Sequence, residues 1–274
     1  MVIQHNIAAI NSYRNLSINQ NALSKNLEKL SSGYKINRAG DDAAGLAISE
    51  TMRSQINGLN QAVNNANDAI GLIQTAEGAM TETHSMLQRM KTLTTQAANG
   101  TYTSTARGNI KAELDALNKE ITRIATTTEF NGETPLKPAK KDTPLTFFIG
   151  ASADTTNAMT VEQKDMTAEE LKVNDLKVSN TTEAFNSMAS VDAAIEKVST
   201  YRATLGAAQN RLEHTVNNLK VTSENITSAE SRIRDTDMAD EMMAYTKNNI
   251  LLQAAQSMLS QSNAMPQGVL SMLQ

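Results

Sequence analysis

The sequence contains no cysteine and no tryptophan, and only four phenylalanines and five tyrosines among its 274 residues. Without cysteine, a disulfide framework, a thiolate nucleophile and a Cys-type zinc site are all excluded. With so few aromatic rings and 40% hydrophobic residues, any core must be built from aliphatic side chains and from methionine, of which there are 14. The three histidines, His5, His84 and His214, lie far apart with neither HxxxH nor HExxH spacing, so no metal site or histidine-based hydrolase is expected. GxGxxG, Walker A and GxSxG patterns are missing as well. The chain reads as a non-enzyme, with no catalytic residues, no cofactor and no metal.

Charge of one sign is also in short supply. The 25 basic and 29 acidic residues leave a net charge of -4, which gives no electrostatic reason to expect nucleic acid or an anionic membrane surface as a partner. No apolar run approaches the roughly 18 residues needed for a membrane span. Met1-Val2-Ile3-Gln4-His5-Asn6 lacks the basic region and unbroken apolar stretch of a cleavable secretory signal. On these grounds alone the chain would be placed in the cytoplasm.

Proline is rare and its placement divides the chain. Pro135, Pro138 and Pro144 fall together and Pro266 lies near the end, leaving residues 1–134 and 145–265 without any. Since proline breaks helix interiors, these flanks read as helical. Residues 133–182, with many threonines and the apolar cluster Leu145-Thr146-Phe147-Phe148-Ile149-Gly150, read as a short β-containing insert.

What is abundant is heptad-like spacing. Met52, Ile56, Leu59, Val63, Ala66, Ile70 and Ile73 alternate steps of four and three, a coiled-coil-like stripe. It continues less strictly through Met80, Leu87, Met90 and Ala97. Asp41 or Asp42 supplies the N-cap, and Asn99-Gly100 predicts a left-handed stop. A helix from about 43 to about 98 would span about 80 Å at 1.5 Å per residue. A second stripe, Ile110, Leu114, Leu117, Ile121 and Ile124, follows the loop 100–108 and can fold back on the first. The third, Val191, Val198, Leu205, Leu212, Leu219, Ile226 and Ile233, keeps a spacing of seven. Its companion positions are partly polar, which suits packing among several helices.

The two ends carry amphipathic stripes with no local partner. Ile3, Ile7, Ile10, Leu16, Leu23, Leu27 and Leu30 form one. Tyr245, Leu252 and Leu259 share one heptad position at the other end, and Leu251, Met258, Met265 and Met272 the adjacent one. The ends can pair with each other or with other copies of the chain. The C-terminal methionines are open to two readings: core filler, or flexible side chains that let one surface meet partners in more than one geometry. The expected fold is mainly α, an elongated antiparallel helical bundle or coiled coil formed by the N- and C-terminal halves, with a small β-hairpin insert.

Ser31-Ser32-Gly33-Tyr34-Lys35-Ile36-Asn37-Arg38-Ala39-Gly40-Asp41-Asp42-Ala43-Ala44-Gly45-Leu46-Ala47-Ile48-Ser49 closely resembles the N-terminal signature of bacterial flagellins. Thr128-Glu129-Phe130-Asn131-Gly132, Leu205-Gly206-Ala207-Ala208-Gln209-Asn210-Arg211-Leu212, Ala229-Glu230-Ser231-Arg232-Ile233-Arg234-Asp235 and the ending Pro266-Gln267-Gly268-Val269-Leu270 are similar to other stretches of that family. The resemblance implies a filament subunit in which 1–42 and 234–274 form a terminal coiled-coil domain lining the filament's inner tube. Residues 43–132 and 183–233 would form a helical bundle domain. Residues 133–182, about 50 residues, would be a short hairpin and loop insert in place of large variable domains.

The same resemblance implies polymerisation seams at Ile3, Ile7, Ile10, Leu23, Leu27, Leu30, Tyr245, Leu251, Leu252, Met258 and Leu259, and a domain-junction loop at Asn37, Arg38, Gly40, Asp41 and Asp42. It implies secretion through the flagellar type III channel to an extracellular filament, replacing the cytoplasmic reading. An export chaperone, cap and hook-filament junction proteins are the implied partners, with no nucleic acid and no membrane insertion. Arg89, Leu93 and Glu113 match the family's patch for Toll-like receptor 5, although Lys91-Thr92 stand where the family commonly has an Arg-Glu pair. The competing readings are a non-enzymatic cytoplasmic signalling or scaffold coiled coil and a flagellar hook-filament junction protein. Neither needs the combined set of signatures.

Overall fold

The computed structural model describes residues 6–138, 144–152 and 154–272. Its elements are α1 (Ile7–Ser32), α2 (Ala43–Ala98), α3 (Ser104–Thr127), β1 (Pro144–Phe148), β2 (Ala158–Glu162), α4 (Thr181–Arg234) and α5 (Met238–Met272). The fold is mainly helical with a small antiparallel hairpin, as the periodicity predicts. The chain divides into two compact units, one of residues 1–54 with 224–274 and one of residues 55–223.

Polar side chains set the helix starts by accepting from backbone N–H groups of the first turn, which have no partner within the helix. Asn6 Oδ1 accepts from Ala9 N at 3.1 Å, Asp42 Oδ1 from Gly45 N at 2.9 Å and Thr103 Oγ1 from Ala106 N at 3.3 Å. Asn180 and Asp237 do the same for Glu183 N and Ala239 N, both at 2.8 Å. Asp42 is therefore the N-cap of α2. At the end of α1 Gly33 adopts φ 76° and its N–H donates to Lys29 O at 2.8 Å. That left-handed conformation is one that glycine adopts without a steric penalty.

The stop of α2 differs from the expected left-handed cap. Neither Asn99 nor Gly100 is among the described residues with positive φ. Arg107 of α3 instead donates from Nε to Ala97 O at 3.0 Å and from Nη2 to Asn99 O at 3.2 Å. A cation placed on free C-terminal carbonyls serves both their hydrogen bonding and the helix dipole. The helix that follows starts at Ser104, inside what the sequence reads as loop 100–108. Pro266, read from the sequence as a helix-breaking marker, lies inside α5.

In the unit of residues 55–223, α2, α3 and α4 share one aliphatic core. Ile73, Met80, Leu87 and Met90 from α2, Leu114 and Ile121 from α3, and Val191, Val198 and Leu212 from α4 are all 0% exposed. Of the stripe of four and three, Leu59, Ala66 and Ile73 are buried, while Met52, Ile56, Val63 and Ile70 are half-buried. Leu219, farther along the spacing of seven, is only half-buried. α2 and α3 run antiparallel, since Arg89 pairs with Glu113 and Arg107 with the carbonyl of Ala97.

The insert contributes to this core rather than merely covering it. Leu145 lies opposite Val161 and Phe147 opposite Met159 in the hairpin, and Phe147 and Val161 pack against the core. Leu136, Met166, Leu171, Val173, Leu176 and Val178 are buried in it. Met166 N donates to Leu136 O at 2.9 Å, and Tyr201 Oη of α4 donates to Glu162 O at 3.3 Å. Ser187 Oγ donates to Lys177 O at 2.7 Å and accepts from Lys177 N at 2.9 Å, tying residues 171–178 to α4.

Candidate functional site: the terminal helix pair and its junction

The unit of residues 1–54 and 224–274 is built from α1, α5 and the adjoining ends of α2 and α4. α1 and α5 pair antiparallel. Asn6 Nδ2 donates to Ser262 O at 2.8 Å near one end, and Lys29 Nζ stands 3.9 Å from Glu241 near the other. Beyond that ion pair the two segments continue as a short bridge between Tyr34 and Asp235, with Lys35 N donating to Arg234 O at 2.7 Å and Thr236 N to Gly33 O at 3.0 Å.

The packing of this pair is thin. Among its described residues Ile36 is the one apolar side chain that is fully buried. Leu23, Leu30, Tyr245, Leu252 and Leu259 are half-buried. Ile7 and Ile10 are 66% and 60% exposed, Leu27 50%, Leu251 41% and Met258 65%. Ile3 lies outside the described residues. The two helices thus use only one side of their apolar surface on each other. Of all large apolar side chains exposed among the described residues, only Phe148, Phe185 and Val221 lie in the other unit. One polar side chain of α1, Asn26, is buried.

At the junction, Arg234 joins three segments. Its guanidinium lies 4.7 Å from the ring centre of Tyr34, and Nη1 donates to Glu50 Oε1 at 2.7 Å and to Ser49 Oγ at 3.4 Å. Ser49 in turn donates to Glu230 at 3.0 Å. The bond from Arg234 is the main reason that the carboxyl of Glu50 sits below its ordinary value of 4.5. Asp41 accepts from Arg38 N at 3.2 Å and Asn37 N at 3.3 Å, and these bonds lower its pKa in the same direction. Arg38 Nε donates to Glu28 at 2.8 Å. Gly45 is packed so closely that a Cβ there would come within 2.6 Å of the Asp42 carboxylate and 2.8 Å of Ile36 Cδ1. Asn37, Arg38, Asp41 and Asp42 therefore form one connected turn, with Gly40 exposed beside them.

Sequence reasoning names this turn but misses Arg234, Glu50 and Tyr34 as its clamp. Arg234 lies within a quoted family string, yet no spacing rule joins residues 34, 50 and 234. Asp42 acts as a helix cap and Asp41 as an acceptor for backbone donors. No cluster of three or more His, Asp or Glu suited to a metal is found among the described residues. No described helix is long and apolar enough to cross a membrane.

The second group of residues singled out lies in the other unit. Arg89 and Glu113 are joined across α2 and α3, Nε at 2.9 Å and Nη2 at 2.8 Å from Oε1, with side chains 54% and 43% exposed. Leu93 is 2% exposed and belongs to the core, so it supports this surface from beneath and offers nothing to a partner directly. Lys91 pairs with Asp192 of α4 at 2.6 Å.

A helical scaffold whose terminal pair leaves a stripe of large apolar side chains exposed among its described residues has the surface of a self-associating protein. Residues 3–140 match the family model of the bacterial flagellin N-terminal helical region, and residues 188–273 match that of the C-terminal helical region. The chain is 51% identical to flagellin of Bacillus subtilis and 47% identical to flagellin of Halalkalibacterium halodurans, with all of each chain covered in both cases. It is 45% identical, again over the whole of both chains, to the flagellar filament 33 kDa core protein of Treponema phagedenis. The crystal structure of Bacillus cereus flagellin matches with a TM-score of 0.50 and 31% identity, covering 61% of this chain and 94% of that one. The chain belongs to the bacterial flagellin family, as a short form, and is a structural subunit of the flagellar filament rather than an enzyme.

Proposed function

We propose that the chain polymerises through the apolar stripes of its terminal helices, with residues 1–42 and 234–274 as the polymerising part. In this reading residues 43–132 and 183–233 form the helical bundle part, and 133–182 the short insert that stands in place of large variable domains. The observation that carries it is the contrast in burial. Ile7, Ile10, Leu27, Leu251 and Met258 stay exposed in a unit where Ile36 is the one fully buried apolar residue among those described. Burying one such side chain contributes roughly 1.5–3 kcal/mol, so stripes of this length can offset the ordering of two terminal helices. Head-to-tail contacts between identical subunits that do not close produce a helical polymer. The protein should therefore regrow tubular filaments on neutralisation after mild acid dissociation, as seen by electron microscopy. Discrete particles in place of filaments would refute the proposal.

The subunit leaves the cell through the flagellar export channel, with a chaperone holding its exposed C-terminal helix until then, and meets cap and hook-filament junction proteins at the filament ends. Toll-like receptor 5 recognises the monomer through the surface of Arg89 and Glu113, with Leu93 supporting it from the core. Lys91, paired with Asp192, and Thr92 stand where the family commonly has an Arg-Glu pair. Receptor affinity should fall on Arg89→Ala, and an unchanged affinity removes this pair as the anchor.

A further inference from the structure

We propose that the exposed methionines of α5 form an oxidation site that governs whether the subunit can assemble, an inference that rests on the polymerisation reading above. Among the methionines whose side chains are described, four are buried and five exposed, with Met52, Met86 and Met188 half-buried between them. Met80 and Met90 are 0% exposed, Met159 5% and Met166 4%, all in the unit of residues 55–223. Met238, Met242, Met243, Met258 and Met265 are 48%, 50%, 64%, 65% and 48% exposed, all on α5. At 3.6 residues per turn, Met243, Ile250, Leu251, Met258 and Met265 fall within an arc of about 100° along one side of the helix. The half-buried Tyr245, Leu252 and Leu259 lie on a different side, toward α1. Three of the five side chains in the unsatisfied stripe are therefore thioethers that solvent, and any small oxidant in it, reaches freely.

The chemistry is a two-electron oxygen transfer from a hydroperoxide. The sulfur lone pair attacks the distal peroxide oxygen, the O–O bond breaks and an S–O bond forms. Sulfur is oxidised to the sulfoxide, and the peroxide leaves as water or an alcohol. Each event converts a flexible apolar side chain into a polar, chiral one, and sulfoxide reductases, one for each epimer, reverse it. On the stripe of α5 the added oxygen must be buried without a donor when a second copy packs there, which opposes association. The four buried methionines belong to the unit of residues 55–223, so the bundle core stays folded while the assembling surface changes.

The test treats the full-length monomer with hydrogen peroxide, maps sulfoxides by peptide mass spectrometry, and measures sedimentable polymer after neutralisation. The expected result is oxidation of Met243, Met258 and Met265 before Met80 and Met90, unchanged helical circular dichroism and loss of polymer. Reductase treatment should restore the polymer. Whatever amount of polymer a variant carrying Met243→Leu, Met258→Leu and Met265→Leu forms untreated, peroxide should not lower it. Oxidation that reaches Met80 and Met90 equally fast overturns the site. Normal polymerisation of fully oxidised stripe residues, equal peroxide sensitivity of the triple variant, or no recovery after the sulfoxides are reduced overturns the link to assembly. If untreated protein fails to polymerise, the polymerisation reading itself fails, and the peptide map still decides the site.

Discussion

Arg234 shows how one residue can hold a junction that has little apolar core. It stacks on Tyr34 and donates to Glu50 and Ser49, each a contact with a different part of its unit from the helix end that carries it. Arg234→Ala should lower the stability of this unit by about 0.5–3 kcal/mol, the range of ordinary destabilising substitutions, read as the earlier loss of protection in hydrogen exchange of α1 and α5. Acid should do part of the same. The carboxyl of Glu50 is held below 4.5 in the folded chain, so its contribution is fully present above that value and is lost as pH falls through the lower, folded-state pKa. Asp41 follows the same sign. Loosening of the terminal pair should therefore begin below about pH 4.5, and Glu50→Gln should flatten that dependence. An acid profile that Glu50→Gln leaves unaltered would show that other carboxylates control it.

At the scale of the helix, the spacing of apolar residues is legible in the sequence, but the number of partners each seam meets is not. Val191, Val198 and Leu212 are wholly buried, while Leu219, at the same heptad position, is only half-buried. The seam keeps its period in both places; what changes is the packing around it. The end of α2 was likewise illegible, because its carbonyls are satisfied by Arg107, an arginine on the next helix, rather than by the local Asn-Gly pair. Leu136, Val173 and Val178 in the insert are buried without any period to reveal them. Within the shared core, Leu87 is 0% exposed. Leu87→Ala should destabilise the unit of residues 55–223 by about 2–5 kcal/mol through the cavity it leaves, measured by urea denaturation. A loss below 1 kcal/mol would mean that the core collapses around the gap.

For the whole molecule, the proposed function assigns stability and association to different stretches of chain. Residues 55–223 bury their aliphatic and methionine side chains on one another, which accounts for a chain that needs neither cysteine nor many aromatic rings. Residues 1–54 and 224–274 fold into a unit of their own but leave most of their described large apolar side chains exposed. The sequence made both terminal stripes visible. It left undecided which of two adjacent heptad positions on α5 faces α1, and the structure places Tyr245, Leu252 and Leu259 on that side while Leu251 and Met258 face away. The most direct test places charge on the outward stripe alone. Full-length protein carrying Ile10→Glu and Leu251→Glu should remain a soluble monomer with the circular dichroism and core melting of the parent, and should form no sedimentable filament. Filaments formed by this variant at the parent's concentration and rate would contradict the claim that the exposed stripes of α1 and α5 are the assembling surface.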